Sequence, residues 1–309
     1  MLGLNKTIGG WMLCAGLLLA GSAAQAADNY PSKPVHILVP YAAGGAVDVL
    51  ARTLSQALAK TWGQQPVVDN RPGAGGIVAS QTLTQAAPDG YTLILVASGH
   101  PLNQFIYPSV PYDTFKDFTA ITEIASSPLA IVVAKDSPYK TLGDLLAAAK
   151  QEPDKLSYGM SGTKIVAIPY KGGAPALTAV IAGEIPLSIN PLAEAIGQLE
   201  GGPVRALAVT SAERSKALPN VPTVAESGVS GYDVSVWWGV LGPAKMPSEI
   251  VAKLETDLKA ALQDSHVLST LGKIGAAPIG SSSKEFDAYM HAEATKWEPV
   301  LKAANIRAQ

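Results

Sequence analysis

From residue 35 to residue 97 the sequence alternates strand-length apolar runs with helix-length amphipathic ones, each change marked by a glycine- or proline-bearing turn. Val35 to Val39 is apolar except for His36 and is stopped by Pro40, the pattern of a buried strand. Beyond the turn Tyr41-Ala42-Ala43-Gly44-Gly45, the residues Val47, Leu50, Ala51, Leu54 and Leu58 recur at helical spacing and form one apolar stripe. Val67-Val68 then predicts a second strand, Ile77 to Ala86 a second helix, and Tyr91 to Ala97 a third strand. This β-α-β-α-β order constrains the chain strongly. Strands joined through helices run parallel, and the sheet they make is doubly wound α/β.

A second unit begins near residue 122. Pro128 to Ala134 is apolar and β-branched, and Thr141-Leu142-Gly143-Asp144 has the form of a capping box opening a helix through Lys150. Short strands are predicted at 156–159 and 165–169, then a helix from Ala174 to Ala182, a strand at 187–189, a helix near 192–199 and a strand at 205–209. Residues 219–231 are turn-rich and carry the return crossing. Tyr232 to Leu241 predicts one more strand, in which Trp237 and Trp238 point to opposite faces, one to the core and the other to a cleft or to the outside. Pro247-Ser248-Glu249 opens a long helix with Ile250, Leu254, Leu258 and Leu262 on its apolar face, and a final helix occupies 285–303. The economical division gives residues 27–122 and 236–309 to a first lobe and 123–235 to a second lobe inserted within it.

The first 26 residues read differently. Lys6 precedes a short apolar stretch from Trp11 to Gly21, and Ala24-Gln25-Ala26 supplies a small-x-small cleavage pattern; together they predict an export signal, with a retained N-terminal anchor as the alternative. The apolar stretch is too short to span a bilayer comfortably. Cleavage near Ala26 removes Lys6 and the single cysteine, Cys14, leaving 22 basic and 25 acidic residues. An exported chain without thiols has no disulfide, no thiol nucleophile and no cysteine-based metal site. Net charge is −2 and no run of lysine or arginine exists, which argues against nucleic acid as a partner. Attraction for an anion must therefore come from a local site.

Three glycine-bearing turns follow predicted strands: Ala43-Gly44-Gly45, Gly73-Ala74-Gly75-Gly76 and Ser161-Gly162-Thr163. Glycine lets backbone approach a ligand closely, and the free N–H groups of a helix start attract carboxylate or phosphate. A single such turn more often only reverses the chain; three together point to an anion site. No nucleotide signature is present, because Val78 stands where the dinucleotide fingerprint needs its third glycine. Gly159-Met160-Ser161-Gly162 falls short of a nucleophile elbow, with Thr163 in the closing position. The four histidines show no metal-ligand spacing. His100 follows a strand end within Ser98-Gly99-His100, where ligands bind in open α/β sheets. Asp48 lies in the first turn of its helix, where it either braces the loop or meets a ligand amine or hydroxyl. Arg71, beside Pro72, either pairs with a ligand carboxylate or braces the surface.

Several segments resemble the Bug family, the extracytoplasmic solute receptors of tripartite tricarboxylate transporters. They are Tyr30-Pro31-Ser32-Lys33-Pro34, the run from Val39 to Asp48, Asn70-Arg71-Pro72-Gly73-Ala74-Gly75-Gly76, Pro88-Asp89-Gly90-Tyr91-Thr92-Leu93, Pro169-Tyr170-Lys171-Gly172, the run from Arg205 to Thr210 and the run from Leu218 to Thr223. They occur in order along the whole chain that remains after the first 26 residues. The resemblance implies a periplasmic binding protein of the type II kind, with two doubly wound α/β lobes and a ligand cleft between them. It implies a small carboxylated solute, held by backbone and hydroxyl groups of loops at helix starts, no cofactor or metal, membrane transporter subunits as partners, and a monomer. Carried onto this chain, the first-lobe candidates are Tyr41, Ala43, Gly44, Gly45 and Asp48, with Gly73, Ala74, Ser98 and His100 nearby. The second-lobe candidates are Ser161, Gly162, Thr163 and Asn190. One departure stands out. In similar proteins the Ser-Gly turn opens a helix before the strand leading to Pro-Tyr-Lys-Gly, whereas here Thr163-Lys164-Ile165-Val166-Ala167-Ile168 runs almost directly into it, so about one helix near 163 is expected to be missing.

Two other readings remain open at this point: an exported α/β enzyme acting on a carboxylate through His100 and Asp48, and a receptor-like protein acting as a sensor or interaction partner. Dicarboxylates, acidic amino acids and aromatic carboxylates are all compatible with glycine-rich N–H donors.

Overall fold

The computed structural model describes residues 30–151 and 173–308. The chain divides into two compact units. The first takes the residues up to 122, 240–261 and those from 281 onward; the second takes 123–239 and 262–280. Residues 262–280, placed by sequence with the first lobe, fall in the second unit. Within that stretch 277–278 pair with β-strand residues 125–126 of the second unit.

In the first unit β1 (His36–Val39) pairs in parallel with β2 (Val67–Asn70) on one side and β3 (Thr92–Ala97) on the other. Two helices make the crossovers, α1 (Ala46–Trp62) and α2 (Ile77–Thr84). The apolar stripe expected on α1 is the face it buries, with Leu50, Leu54 and Leu58 at most 2% exposed. Burying one such side chain contributes about 1.5–3 kcal/mol, so this stripe fixes how α1 lies. Gly63, with φ 67°, ends the helix by returning its N–H to the Ala59 carbonyl, a conformation that costs glycine little. After β3 come a single 3-10 turn, His100–Leu102, and the short α3 (Asn103–Ile106).

The long β4 (Phe118–Ala134) passes from the first unit into the second. There it runs antiparallel to β5 (Ser188–Pro191) and β6 (Val204–Val209). The strict alternation of β4 decides what packs on each face. Ile131 and Val133 meet Leu142, Leu145 and Ala149 of α4 (Leu142–Gln151), while Ala130 and Val132 meet Leu177 and Val180 of α5 (Gly173–Ile181) and Leu192 of α6 (Leu192–Gly201). The capping box that opens α4 is present, with Asp144 in the usual Glu or Gln position: Thr141 Oγ1 accepts the Asp144 N–H at 3.1 Å, and Asp144 Oδ2 accepts the Thr141 N–H at 2.8 Å. The strands predicted at 156–159 and 165–169 and the missing helix near 163 lie outside the described residues.

The return strand β7 (Ser235–Pro243) completes the strand order β2-β1-β3-β7-β4-β5, with β6 and β8 (Ala277–Pro278) also paired to β4. Trp237 and Trp238 do not divide between core and outside: they are 0% and 6% exposed. A strand flanked on both edges inside an α/β sheet has both faces covered, so alternation there sorts side chains between two interiors. Three helices follow, α7 (Ser248–Ala261), α8 (Ser265–Lys273) and α9 (Ser283–Ala303). A second capping box opens α9, built from Ser282 and Glu285. Among the described residues no helix is long and apolar enough to cross a membrane.

Candidate functional site

Three turns leave the carboxyl ends of the neighbouring parallel strands β2, β1 and β3, where open α/β sheets place their ligands. The turn after β1 holds Tyr41, half-buried, and Ala43, Gly44 and Gly45, all exposed. Gly44 sits at φ 85°, and Gly45 starts α1 without any side-chain cap. The turn after β2 is a run of left-handed residues: Gly73 at φ 143°, Ala74 at 45°, Gly75 at 61° and Gly76 at 96°. Gly76 starts α2, again without a side-chain cap. The N–H groups of a first helical turn have no carbonyl within the helix to donate to; at the α2 start the preceding turn takes two of them, Gly76 N–H on the Gly73 carbonyl and Ile77 N–H on the Ala74 carbonyl.

Hydrogen bonds hold these turns in place. Asn70, the last residue of β2, donates to the Tyr41 carbonyl at 3.1 Å and to Asp48 Oδ1 at 2.9 Å. Asn103 donates to the Gly75 carbonyl at 3.1 Å. Glycine is required at 75 on two counts, its positive φ and a Cβ position only 2.7 Å from the Tyr107 hydroxyl.

Asp48 is 3% exposed and braces the first turn. Its Oδ2 accepts the Gly44 N–H at 2.8 Å, and Arg52 Nε lies 3.1 Å from Oδ2 and 3.0 Å from Oδ1. Burial works to raise its pKa, but the bonds from Arg52, Gly44 and Asn70 together with the Arg52 charge outweigh it and hold the carboxyl below its ordinary range. Arg52 Nη2 also donates to Asn70 Oδ1 at 3.0 Å. Neither Arg52 nor Asn70 stood out in the sequence as a site residue. The i, i+4 spacing of Asp48 and Arg52 was the available signal for one, and the place of Asn70 at a strand end for the other. Arg71 is likewise a brace, donating to Asp69 Oδ2 at 2.8 Å.

His100 is interior. It is 4% exposed, stacked on Tyr112 with centroids 5.9 Å apart and edge-on to Phe118 at 5.0 Å. Ser80 Oγ lies 3.4 Å from Nδ1, and Nε2 has no partner among the described residues. Burial pushes its pKa down to about 4, so at neutral pH the ring is uncharged. With Asp48 saturated and His100 enclosed by aromatic rings, neither is placed as a general acid or base. Ser98 is half-buried in the turn after β3.

In the second unit Asn190 is 1% exposed and donates to Ser188 Oγ at 2.6 Å. Ser161, Gly162 and Thr163 lie outside the described residues. A separate recess of about 380 Å³ within this unit is lined by Ser126, Pro128, Ser211, Lys216, Ser235 and Pro278 among others, and none of the candidates from the sequence lines it. No cluster of His, Cys, Asp or Glu suited to a metal ion occurs among the described residues.

The profile of the tripartite tricarboxylate transporter family receptor matches residues 50–306. The chain belongs to that family. Among relatives of this receptor is BugT of Bordetella pertussis, 30% identical over 93% of this chain and 94% of that protein. A protein of R. palustris solved with adipate is 36% identical, with a TM-score of 0.74 over 90% of this chain and 99% of its own. MatC of Rhodopseudomonas palustris, solved with bound malate, is 30% identical, with a TM-score of 0.69 over 88% of this chain and 100% of its own. The Bug-type resemblance of the motifs and the type II fold expected from it are thereby established. The protein is a solute-binding receptor and not an enzyme, which removes the reading that gave His100 and Asp48 catalytic roles.

Proposed function

We propose that this receptor works in the periplasm, after removal of residues 1–26, and as a monomer captures a small carboxylate for the membrane subunits of a tripartite tricarboxylate-type transporter. The carboxylate sits on the first-unit turns carrying Tyr41, Ala43, Gly44, Gly45, Gly73, Ala74 and Ser98. Asp48 braces the first of these turns through the Gly44 N–H, and His100 packs against Tyr112 and Phe118. The observation that carries this reading is the pair of glycine-rich turns at neighbouring strand ends, each leading into a helix start without a side-chain cap, with Ala43, Gly44, Gly45, Gly73 and Ala74 exposed. Adipate and malate on two structural relatives support the same class of solute.

The test is thermal unfolding of residues 27–309 against adipate, malate, succinate, citrate and benzoate. A solute at 100 times its dissociation constant adds about 2.7 kcal/mol, which raises the midpoint by several degrees for units of this size. A cooperative transition that none of these acids moves would sink the proposal.

A further inference from the structure

We infer that the second unit carries a ligand site of its own, separate from the glycine turns. The recess bordered by the loop 211–217 takes a small monocarboxylate with a flat apolar body, its carboxylate on Lys216 and nearby serine hydroxyls and its body on Pro128 and Pro278.

The recess measures about 380 Å³, within the range of roughly 300–1,000 Å³ that small-molecule sites occupy. Its walls are fixed before anything binds. The loop 211–217 is held by Arg214, whose Nε donates to both Glu226 oxygens at 3.0 and 2.8 Å and whose Nη1 donates to the Pro219 carbonyl at 3.2 Å. The Ala212 N–H, on Asp233 Oδ1 at 3.0 Å, ties the same loop to the chain entering β7. Another wall is the segment from the end of α8 to β8. Ser127 Oγ donates to the Gly275 carbonyl at 3.1 Å, and 277–278 pair with β4 at 125–126, so this segment too is seated on β4. A ligand entering a recess built in this way does not have to order it.

The lining decides the ligand's chemistry. Arg214 is committed to Glu226, but Lys216 is exposed and has no hydrogen-bond or ion-pair partner among the described residues. The half-buried hydroxyls of Ser126 and Ser235 also have no partner among the described residues, and Ser215 Oγ, which accepts the Ala217 N–H at 3.3 Å, keeps its own proton to donate. A carboxylate is the acceptor that such a set of donors suits. Pro128, Ala277 and Pro278 add an apolar surface without bulky side chains, which suits a flat ring. Glu213 lines the recess as well, and a second negative charge on the ligand would be repelled by it. The site therefore calls for one carboxylate and not for a dicarboxylate or a phosphate dianion.

Fluorine NMR of 4-fluorobenzoate titrated with residues 27–309 tests this, and saturable binding is expected. Lys216→Gln should weaken it about threefold to tenfold, the worth of one charge-assisted contact near the surface. Ala277→Trp, at an exposed position of β8, should fill the recess and abolish binding. Circular dichroism checks the folding of both; Lys216 is exposed, so its variant gives a reading even if the tryptophan variant does not fold. Absence of saturable binding to the wild-type protein overturns the inference. So does an affinity unchanged in Lys216→Gln, which would put the acid elsewhere and leave the receptor reading standing. Binding of 4-fluorobenzylamine as tight as that of the benzoate, or tighter binding of 4-fluorophenyl phosphate, overturns the charge assigned to the ligand.

Discussion

Replacing His100 by Phe should flatten the acid side of the stability profile. In the folded protein His100 keeps its proton off down to about pH 4, because the ring is buried beside Tyr112 and Phe118. In the unfolded chain it takes a proton near pH 6.5. A base whose folded pKa is depressed contributes stability that is fully present above the unfolded value and is lost as pH falls, because the unfolded state binds the proton first. Between pH 7.5 and pH 5 this linkage amounts to about 2 kcal/mol, and the loss levels off below pH 4. The assay is urea unfolding of residues 27–309 and of His100→Phe at pH 7.5, 6.0 and 5.0. Every other titrating group is common to both proteins and cancels in the difference. The Ser80 hydroxyl, which lies against Nδ1, loses its partner in the variant, at a cost that does not depend on pH. The wild-type protein should therefore lose about 2 kcal/mol more than the variant on going to pH 5. Parallel profiles would refute the reasoning, since His100 would then titrate alike in both states.

Two further perturbations test the turns and the second unit. Gly75→Ala puts a Cβ at φ 61° and 2.7 Å from the Tyr107 hydroxyl; it should cost about 2 kcal/mol in urea unfolding and weaken adipate binding, the left-handed conformation alone accounting for about 1–2 kcal/mol. Thr141→Ala removes the hydroxyl that accepts the Asp144 N–H, so it should cost about 1 kcal/mol and speed hydrogen exchange in the first turn of α4 while leaving solute affinity unchanged.

Much of this protein is written locally. The apolar stripe of α1, the β-branched run of β4 and the box at Thr141 and Asp144 are patterns over a few residues. Short-range backbone chemistry is sufficient to read them. The glycine turns of the candidate site are legible for the same reason, since positive φ at Gly44, Gly73, Gly75 and Gly76 is a property of single residues. Kinship was legible too, because the motifs lie in order along the chain, and the family profile spans residues 50–306.

Tertiary structure alone decided the rest, and always where distant segments meet. Trp237 and Trp238 alternate along β7 as any strand pair does, but that both are interior depends on neighbouring strands and on helices far away in sequence. Residues 262–280 belong to the second unit because 277–278 pair with β4 at 125–126, a register no local pattern encodes. His100 sits at a strand end, as a ligand-facing residue would, yet Tyr112 and Phe118 close over it. The sequence places Asp48 among the candidates to meet a solute; only the arrival of Asn70 from β2, 22 residues away, beside Arg52 shows its oxygens already taken. Periodicity and turn chemistry act over one or two turns of chain, so they are visible in sequence. Whether a polar group is free to meet a solute depends on everything that packs against it, and that is settled only by the fold.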